Sequence, residues 1–197
     1  SGILPNSKLN RNIINGSFNR NLSDNIKTSA FFTFSDQTTV GRNSTGYGDN
    51  IITGFRQWWQ TNVDVQELKQ EYNRNEDNVT WNMNSPLDGN YSPAYWNNPY
   101  FDRYQNYSSD ERTRVLAGAN LSIDLTKDWN ILGRVTVDNS NDRQELRKAK
   151  GSHAEEFGLQ ALDATSGYSL YTRSFLQTTY DFITTYDLKL SEKFSAK

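Results

Sequence analysis

The stretch RVLAGANLSIDL, residues 114–125, and the stretch WNILGRVTVD, residues 129–138, decide the fold class of this chain. In both stretches apolar side chains occupy every second position, and the positions between them are mostly polar or small. A period of two residues is typical of a β-strand with one apolar face. Only Thr126-Lys127-Asp128 separates the two stretches, which predicts an antiparallel pair joined by a tight turn.

The same alternation recurs elsewhere, so the chain is predicted to be all-β. The predicted strands span approximately residues 10–19, 26–37, 113–125, 129–139 and 173–190. Several reach the ~9–11 residues that a strand needs to cross a bilayer. Short turns alternate with long loops at residues 38–112 and 141–172. Tight turns on one rim and long loops on the other favour an up-and-down outer-membrane β-barrel over a Greek-key sandwich.

The apolar faces of these strands are predicted to contact lipid. Charged residues such as Arg134, Asp138 and Asp181 lie on the opposite faces, and a wet or plug-filled interior suits them better than a dry core. Five strands cannot close a membrane barrel, whose smallest examples have about eight, so we expect this chain to be a piece of a longer polypeptide. The positions predicted to face lipid are Phe32, Ala119, Leu121, Ile123, Ile131, Val135, Val137 and Phe182.

The composition argues against several functional classes. The 197 residues carry a net charge of −2, with no cysteine and with His153 as the single histidine. The mean hydropathy is −0.84, and no window approaches the ~20 apolar residues of a spanning helix. A basic footprint for nucleic acid is missing, and thiolate catalysis and Cys-ligated zinc are excluded. We therefore predict no enzyme activity, no cofactor, no metal site and no nucleic-acid partner.

The other polar candidates are interpreted as solvated loop residues. Asp88-Gly89-Asn90 lacks a full EF-hand pattern for calcium. Arg147-Lys148-Ala149-Lys150 is interpreted as a solvated basic run rather than a phosphate clamp, and His153 is predicted to face solvent. A carboxylate pair for glycoside hydrolysis is the less favoured interpretation of the remaining acids. These acids are Asp36, Asp102, Asp110, Glu111, Glu155 and Glu156.

The first long loop is rich in asparagine and in aromatic residues. All 23 asparagines lie at or before Asn141, and asparagine favours turns, so residues 39–106 are predicted to be mostly irregular. An exception is Asp49 to Tyr72, whose helical spacing predicts a helix with Asp49 or Asn50 as N-cap. Some side chains are candidates for contact with a ligand or partner, although most aromatic ones also suit packing of the loop on itself. The candidates are Arg56, Trp58, Trp59, Trp81, Tyr95, Trp96, Tyr100, Phe101 and Tyr104.

Four segments resemble a known family. They are GILPNS at 2–7, GYGDNIITGFRQWWQTNVDV at 46–65, YWNNPYF at 95–101, and YQNY at 104–107 followed by DERTR at 110–114. Together they resemble the TonB-linked outer-membrane receptors of SusC/RagA type from the Bacteroidota. The resemblance extends over essentially the whole chain.

The resemblance implies a fold and a function. Members form a barrel of about 22 strands that is occluded by a plug. They pair with a SusD-like surface lipoprotein and import glycans, peptides or other large nutrients with energy from TonB. Residues 1–197 would then belong to one barrel domain in the outer membrane, crossing it several times, with the plug and the TonB contacts outside this chain. Two alternatives stay open: a soluble secreted all-β carbohydrate-binding module, and a SusC-like scaffold subunit of a larger outer-membrane complex.

Overall fold

The computed structural model describes residues 3–45, 50–153, 166–191 and 194–196. Most of these residues lie in antiparallel strands, with few helices, so the prediction of an all-β chain is confirmed. In chain order the elements are β1 (Lys8–Ser23), β2 (Ile26–Val40), α1 (Ile51–Trp58), α2 (Val65–Asn75), β3 (Met83–Ser85), a 3-10 turn (Pro86–Asp88), β4 (Asn90–Pro93), α3 (Pro99–Tyr104), β5 (Tyr107–Thr126), β6 (Trp129–Lys148), β7 (Gly167–Tyr186), β8 (Leu188–Ser191) and β9 (Phe194–Ala196).

The main sheet has five strands in the order β1-β2-β5-β6-β7. Each strand is therefore hydrogen-bonded to the strand before it in this series, as in a meander. The described strands form an open row and not a closed sheet. Two small antiparallel pairs, β3 with β4 and β8 with β9, stand outside this sheet.

The strands are longer than the sequence pattern predicts. β5, β6 and β7 each contain 20 residues, and the first long connection shrinks to residues 41–106. Apolar alternation stops near Asp138, but strand pairing continues because charged side chains also pair across strands. Arg112 on β5 pairs with Asp142 on β6, for example. At the other end, the predicted strand 173–190 is wrong in one detail, since β7 ends at Tyr186 and β8 begins at Leu188.

The predicted helix is two helices, α1 and α2, and the connecting segment was predicted to be more irregular than it is. Asn50 is the N-cap of α1, and its side chain accepts hydrogen bonds from the backbone N–H groups of Ile52 (3.1 Å) and Thr53 (3.3 Å). Asp64 caps α2 in the same way through the N–H of Gln66 (2.7 Å). The other proposed cap, Asp49, lies outside the described residues. No helix of the described residues is both long enough and apolar enough to cross a membrane.

The chain divides into two compact units. The sheet unit comprises Arg11–Gln37, Arg112–Asp142 and Arg173–Lys197, and the loop unit comprises Ser1–Asn10, Thr38–Glu111 and Arg143–Thr172. Among the described residues, the buried apolar side chains are Leu68, Tyr72 and Phe101, and all three belong to the loop unit. The described part of the sheet unit has no buried apolar core of its own.

In the sheet unit, polar side chains on neighbouring strands contact one another and form a row. Asn120 donates to the hydroxyl of Ser29 (2.9 Å) and accepts from Arg134 (3.2 Å), which also pairs with Asp181 (3.7 Å). One polar row thus crosses β2, β5, β6 and β7. Because neighbouring side chains on a strand point to opposite sides, the alternate positions form the second face.

Phenylalanine rings cover two glycines in the sheet unit. A Cβ on Gly16 would lie 2.2 Å from the ring of Phe32, and a Cβ on Gly118 would lie 2.5 Å from the ring of Phe31. Glycine in a strand interior commonly marks a place of close approach, and here the approaching group is an aromatic ring. The two pairs therefore bring β2 into close side-chain contact with both of its neighbours.

Candidate functional site

The candidate residues for ligand or partner contact all lie in the loop unit, which buried polar side chains hold together. Asn98 is fully buried. Its amide donates to the backbone carbonyls of Leu68 and Val79, both at 2.8 Å, and its side-chain oxygen accepts from the N–H of Tyr100 at 2.9 Å. One side chain therefore joins α2, the segment before β3 and the first turn of α3. Pro99 follows at a position where a helix needs no N–H donor.

A second amide cluster ties α3 to the segment that follows β6. The side-chain oxygen of Asn97 accepts from the backbone N–H of His153 (2.7 Å), and that of Asn106 accepts from the N–H of Ala149 (2.9 Å). Both amides also donate to the carboxylate of Asp102, at 2.8 and 2.7 Å. Since Asp102 accepts these bonds inside the loop unit, it has a structural role and is not a solvated acid.

Arg103 is a buried cation among backbone carbonyls. It is 6% exposed and donates to the carbonyl of Pro5 (2.9 Å), the hydroxyl of Ser7 (2.6 Å) and the carbonyl of Gly41 (2.5 Å). Burial lowers the pKa of Arg103, and the neighbouring charge of Asp102 opposes this shift. The guanidinium thus connects the chain before β1 with the chain after β2.

Aromatic pairs complete the packing of the loop unit. The rings of Tyr72 and Tyr104 stack with centroids 5.6 Å apart, and Trp59 meets Trp81 edge to face at 5.0 Å. Trp58 and Trp96 are stacked at 6.4 Å. Such pairs stabilise a fold beyond the area they bury. Five of the nine candidate residues therefore take part in these ring pairs, whatever else they contact.

The candidate residues differ in their accessibility. Phe101 is only 4% exposed and belongs to the core, so its assignment to a ligand-facing surface is wrong. Its position in α3 buries it beside α2. The half-buried candidates are Trp59, Trp81, Trp96 and Tyr100. The exposed candidates are Arg56, Trp58, Tyr95 and Tyr104.

A cleft of about 290 Å³ opens in the loop unit beside Trp81. Its lining comes from two segments of the chain. Residues 60–71 contribute Gln60, Asn62, Val63, Asp64, Glu67, Leu68 and Glu71, and residues 79–83 contribute Val79, Thr80, Trp81 and Met83. Leu68 and Thr80 are buried, at 7% and 1% exposure, whereas Asp64 and Glu67 are exposed. The cleft thus combines an apolar floor and an indole with an acidic rim.

The positions predicted to face lipid are all at least partly exposed within this chain. Phe182 is 75% exposed, and Phe32 and Leu121 are 47% and 43% exposed. Ala119 is also exposed, while Ile123, Ile131, Val135 and Val137 are half-buried. What surrounds this face stays a prediction.

Other polar residues interpreted as solvated are partly engaged in contacts. Asp110 pairs with Arg42 at 2.5 Å, and Glu111 lies 3.9 Å from Arg143. The basic run is not a solvated loop, because β6 extends to Lys148, which is 4% exposed. Arg147 pairs with Glu145 and lies over the rings of Tyr107 and Tyr168, at 5.9 and 5.7 Å from their centroids.

The remaining candidates do not come together as a catalytic or metal-binding site in the described residues. His153 is half-buried and does not simply face solvent, and Asp36 is half-buried in β2. Asp88 accepts a hydrogen bond from the hydroxyl of Ser85 within the 3-10 turn. Glu155 and Glu156 lie outside the described residues. No three His, Cys, Asp or Glu side chains in the described ranges converge as a metal site would require.

Sequence reasoning missed the residues that order the loop unit. It did not single out Asn98, Arg103 or the acidic face of α2. A signal for the last was present, because Asp64, Glu67 and Glu71 follow helical spacing. Comparison of the chain with family models, curated proteins and solved structures gives no match.

Proposed function

We propose that this chain is a wall segment of a SusC-type, TonB-dependent outer-membrane transporter that imports a large nutrient, a glycan or a peptide. In this proposal β1, β2, β5, β6 and β7 cross the outer membrane and the loop unit is extracellular. The remaining strands, the plug and the TonB contacts belong to the rest of the polypeptide. A SusD-like surface lipoprotein is the proposed partner of the loop unit.

The observation that carries the proposal is the exposed apolar face of a long meander. Strands of 15–20 residues are longer than is usual in soluble sheets, whose strands average about 5–6 residues. Within the described residues nothing packs on Phe182 or Leu121 to bury them. A bilayer would cover such a face and keep its apolar side chains out of water. A polar barrel interior would suit the row of polar side chains from Ser29 to Asp181.

Connection lengths support the same orientation. Only two residues separate β1 from β2 and β5 from β6, whereas residues 41–106 separate β2 from β5 and residues 149–166 separate β6 from β7. Outer-membrane barrels have short periplasmic turns and long extracellular loops. The described part of the first long connection is ordered, which suits a surface that contacts a ligand or a partner protein.

Site-directed spin labelling tests which face meets lipid. Residues 1–197 contain no native cysteine, and any cysteine elsewhere in the full polypeptide would be replaced by serine, so that a single introduced cysteine carries the only label. We would label Ala119→Cys and Val135→Cys as outward positions, and Thr136→Cys as the matched inward position, in the full polypeptide reconstituted into vesicles. Collisions of the spin label with oxygen, which dissolves in lipid, report a lipid environment. Collisions with a water-soluble nickel chelate report an aqueous environment.

The expected result is preferential contact with oxygen at the two outward positions and with nickel at Thr136→Cys. Equal nickel accessibility at Ala119→Cys and Thr136→Cys would overturn the proposal and favour the soluble module.

Purification of the tagged full polypeptide from native membranes tests the partner. A single co-purifying lipoprotein supports the importer, while several further subunits support a scaffold.

A further inference from the structure

We propose that the cleft beside Trp81 binds an organic cation on an apolar stem, such as a lysine or arginine side chain of a peptide. The proposal concerns the described loop unit alone and does not depend on membrane transport. It joins three observations: the cavity, its apolar floor and the charge of its rim.

The cavity has the size of a small binding site. Its volume of about 290 Å³ is near the lower end of the roughly 300–1,000 Å³ range of ligand pockets. The apolar part of the lining consists of Val63, Leu68, Val79 and Met83, with the indole of Trp81. Trp81 meets Trp59 edge to face, with ring centroids 5.0 Å apart, so a second ring holds the indole that lines the cleft in place.

The charge at the rim selects the ligand. Asp64, the N-cap of α2, and Glu67 and Glu71 on the helix line the cleft, and no described residue of the lining is cationic. Glu71 also pairs with Arg74 at 3.0 Å, but Arg74 is 65% exposed and outside the cleft. Asp64 uses one carboxylate oxygen to cap α2, and neither Asp64 nor Glu67 forms an ion pair among the described residues.

Lysine and arginine side chains match this arrangement. Their methylene stems bury against apolar surface while the charged end stays near water, and an aromatic face attracts the cation. An anionic ligand would meet the like charges of these carboxylates, and an apolar ligand would gain no charge interaction from them. The amides of Gln60 and Asn62 at the rim can accept further hydrogen bonds from an ammonium or guanidinium group.

A charged probe and a neutral probe with the same four-carbon side-chain stem test the proposal. Nα-acetyl-lysine methylamide and its neutral norleucine analogue would be titrated against the full chain in non-ionic detergent, with saturation-transfer NMR as readout. We expect the lysine probe to bind at least tenfold tighter than the norleucine probe. Raising the salt concentration should weaken the lysine probe alone, because screening acts on charge.

Matched variants assign the binding to the cleft. The double variant Glu67→Gln with Glu71→Gln should weaken the lysine probe at least tenfold, while Asp77→Asn, an exposed acid outside the cleft, should leave it within twofold. Gln60→Glu adds a carboxylate to the rim and should tighten binding about threefold, which keeps the test decisive if the double variant misfolds. Equal binding of both probes, an unaffected double variant, or an equal loss in Asp77→Asn would overturn the proposal.

Discussion

Replacing Asn98 by aspartate should unfold the loop unit selectively. The change keeps the shape of the side chain, but it replaces an NH2 group that donates to the carbonyls of Leu68 and Val79, both at 2.8 Å. Two hydrogen bonds are lost, and two buried carbonyls face a carboxylate oxygen. Leaving a buried acceptor unsatisfied costs about 1–3 kcal/mol, so the two together cost about 2–6 kcal/mol. The acceptor for the N–H of Tyr100 remains, which keeps the helix cap intact.

The effect of Asn98→Asp should depend on pH in a defined direction. Burial beside two carbonyls raises the pKa of the introduced carboxyl above its unfolded value of about 3.9. The protonated acid is favoured in the folded state and can donate one of the lost bonds. Stability should therefore be partly restored at a pH below about 4 and lost as the pH rises through the pKa of the folded state.

Tryptophan fluorescence during urea unfolding is a suitable assay. Four of the five tryptophans, at positions 58, 59, 81 and 96, belong to the loop unit, and Trp129→Phe removes the signal of the sheet unit. Asn62→Asp is the matched control, because Asn62 is exposed and should change stability by less than about 0.5 kcal/mol. A loss below about 1 kcal/mol for Asn98→Asp at neutral pH would refute the reasoning.

Two further predictions concern the buried cation and the covered glycines. Arg103→Met should lower the free energy of unfolding of the loop unit by about 3–5 kcal/mol, because it leaves the carbonyls of Pro5 and Gly41 without their donor, whereas the exposed Arg56→Met should change it by less than about 0.5 kcal/mol in the same urea titration. Gly118→Ala should destabilise the sheet unit by about 1–3 kcal/mol, since the new Cβ would lie 2.5 Å from the ring of Phe31 and 3.1 Å from a backbone carbonyl. Hydrogen exchange of β5 measures this loss, and a full-sized loss in a Phe31→Ala background would contradict the steric explanation.

The strands were predictable because their signal is local. Alternation of apolar and polar residues around Ala119 or Val135 depends only on the pleat of the strand. The ends of the strands were not predictable in this way, because pairs such as Arg112 with Asp142 depend on register between distant segments. The hairpin at residues 127–128 followed from its spacing alone.

The loop unit was less predictable for a related reason. An asparagine in a local window favours a turn, and Asn98 looks no different from any other asparagine there. Its role depends on two carbonyls that lie 30 and 19 residues away in the chain. Aromatic residues were singled out as a group from the sequence, but the burial that separates Phe101 from Tyr95 exists only in the folded unit. Local capping was the exception, since the cap at Asn50 follows from sequence.

The linear strand order has a consequence for handling this polypeptide. β1 and β7 end the row, so each offers one long side of backbone donors and acceptors. Unpaired edge strands of this kind pair with further copies of the chain and can start the growth of fibrils. The average molecular mass of the isolated chain in solution should therefore rise with protein concentration. Short designed strands that pair with β1 and β7 should keep the chain monomeric.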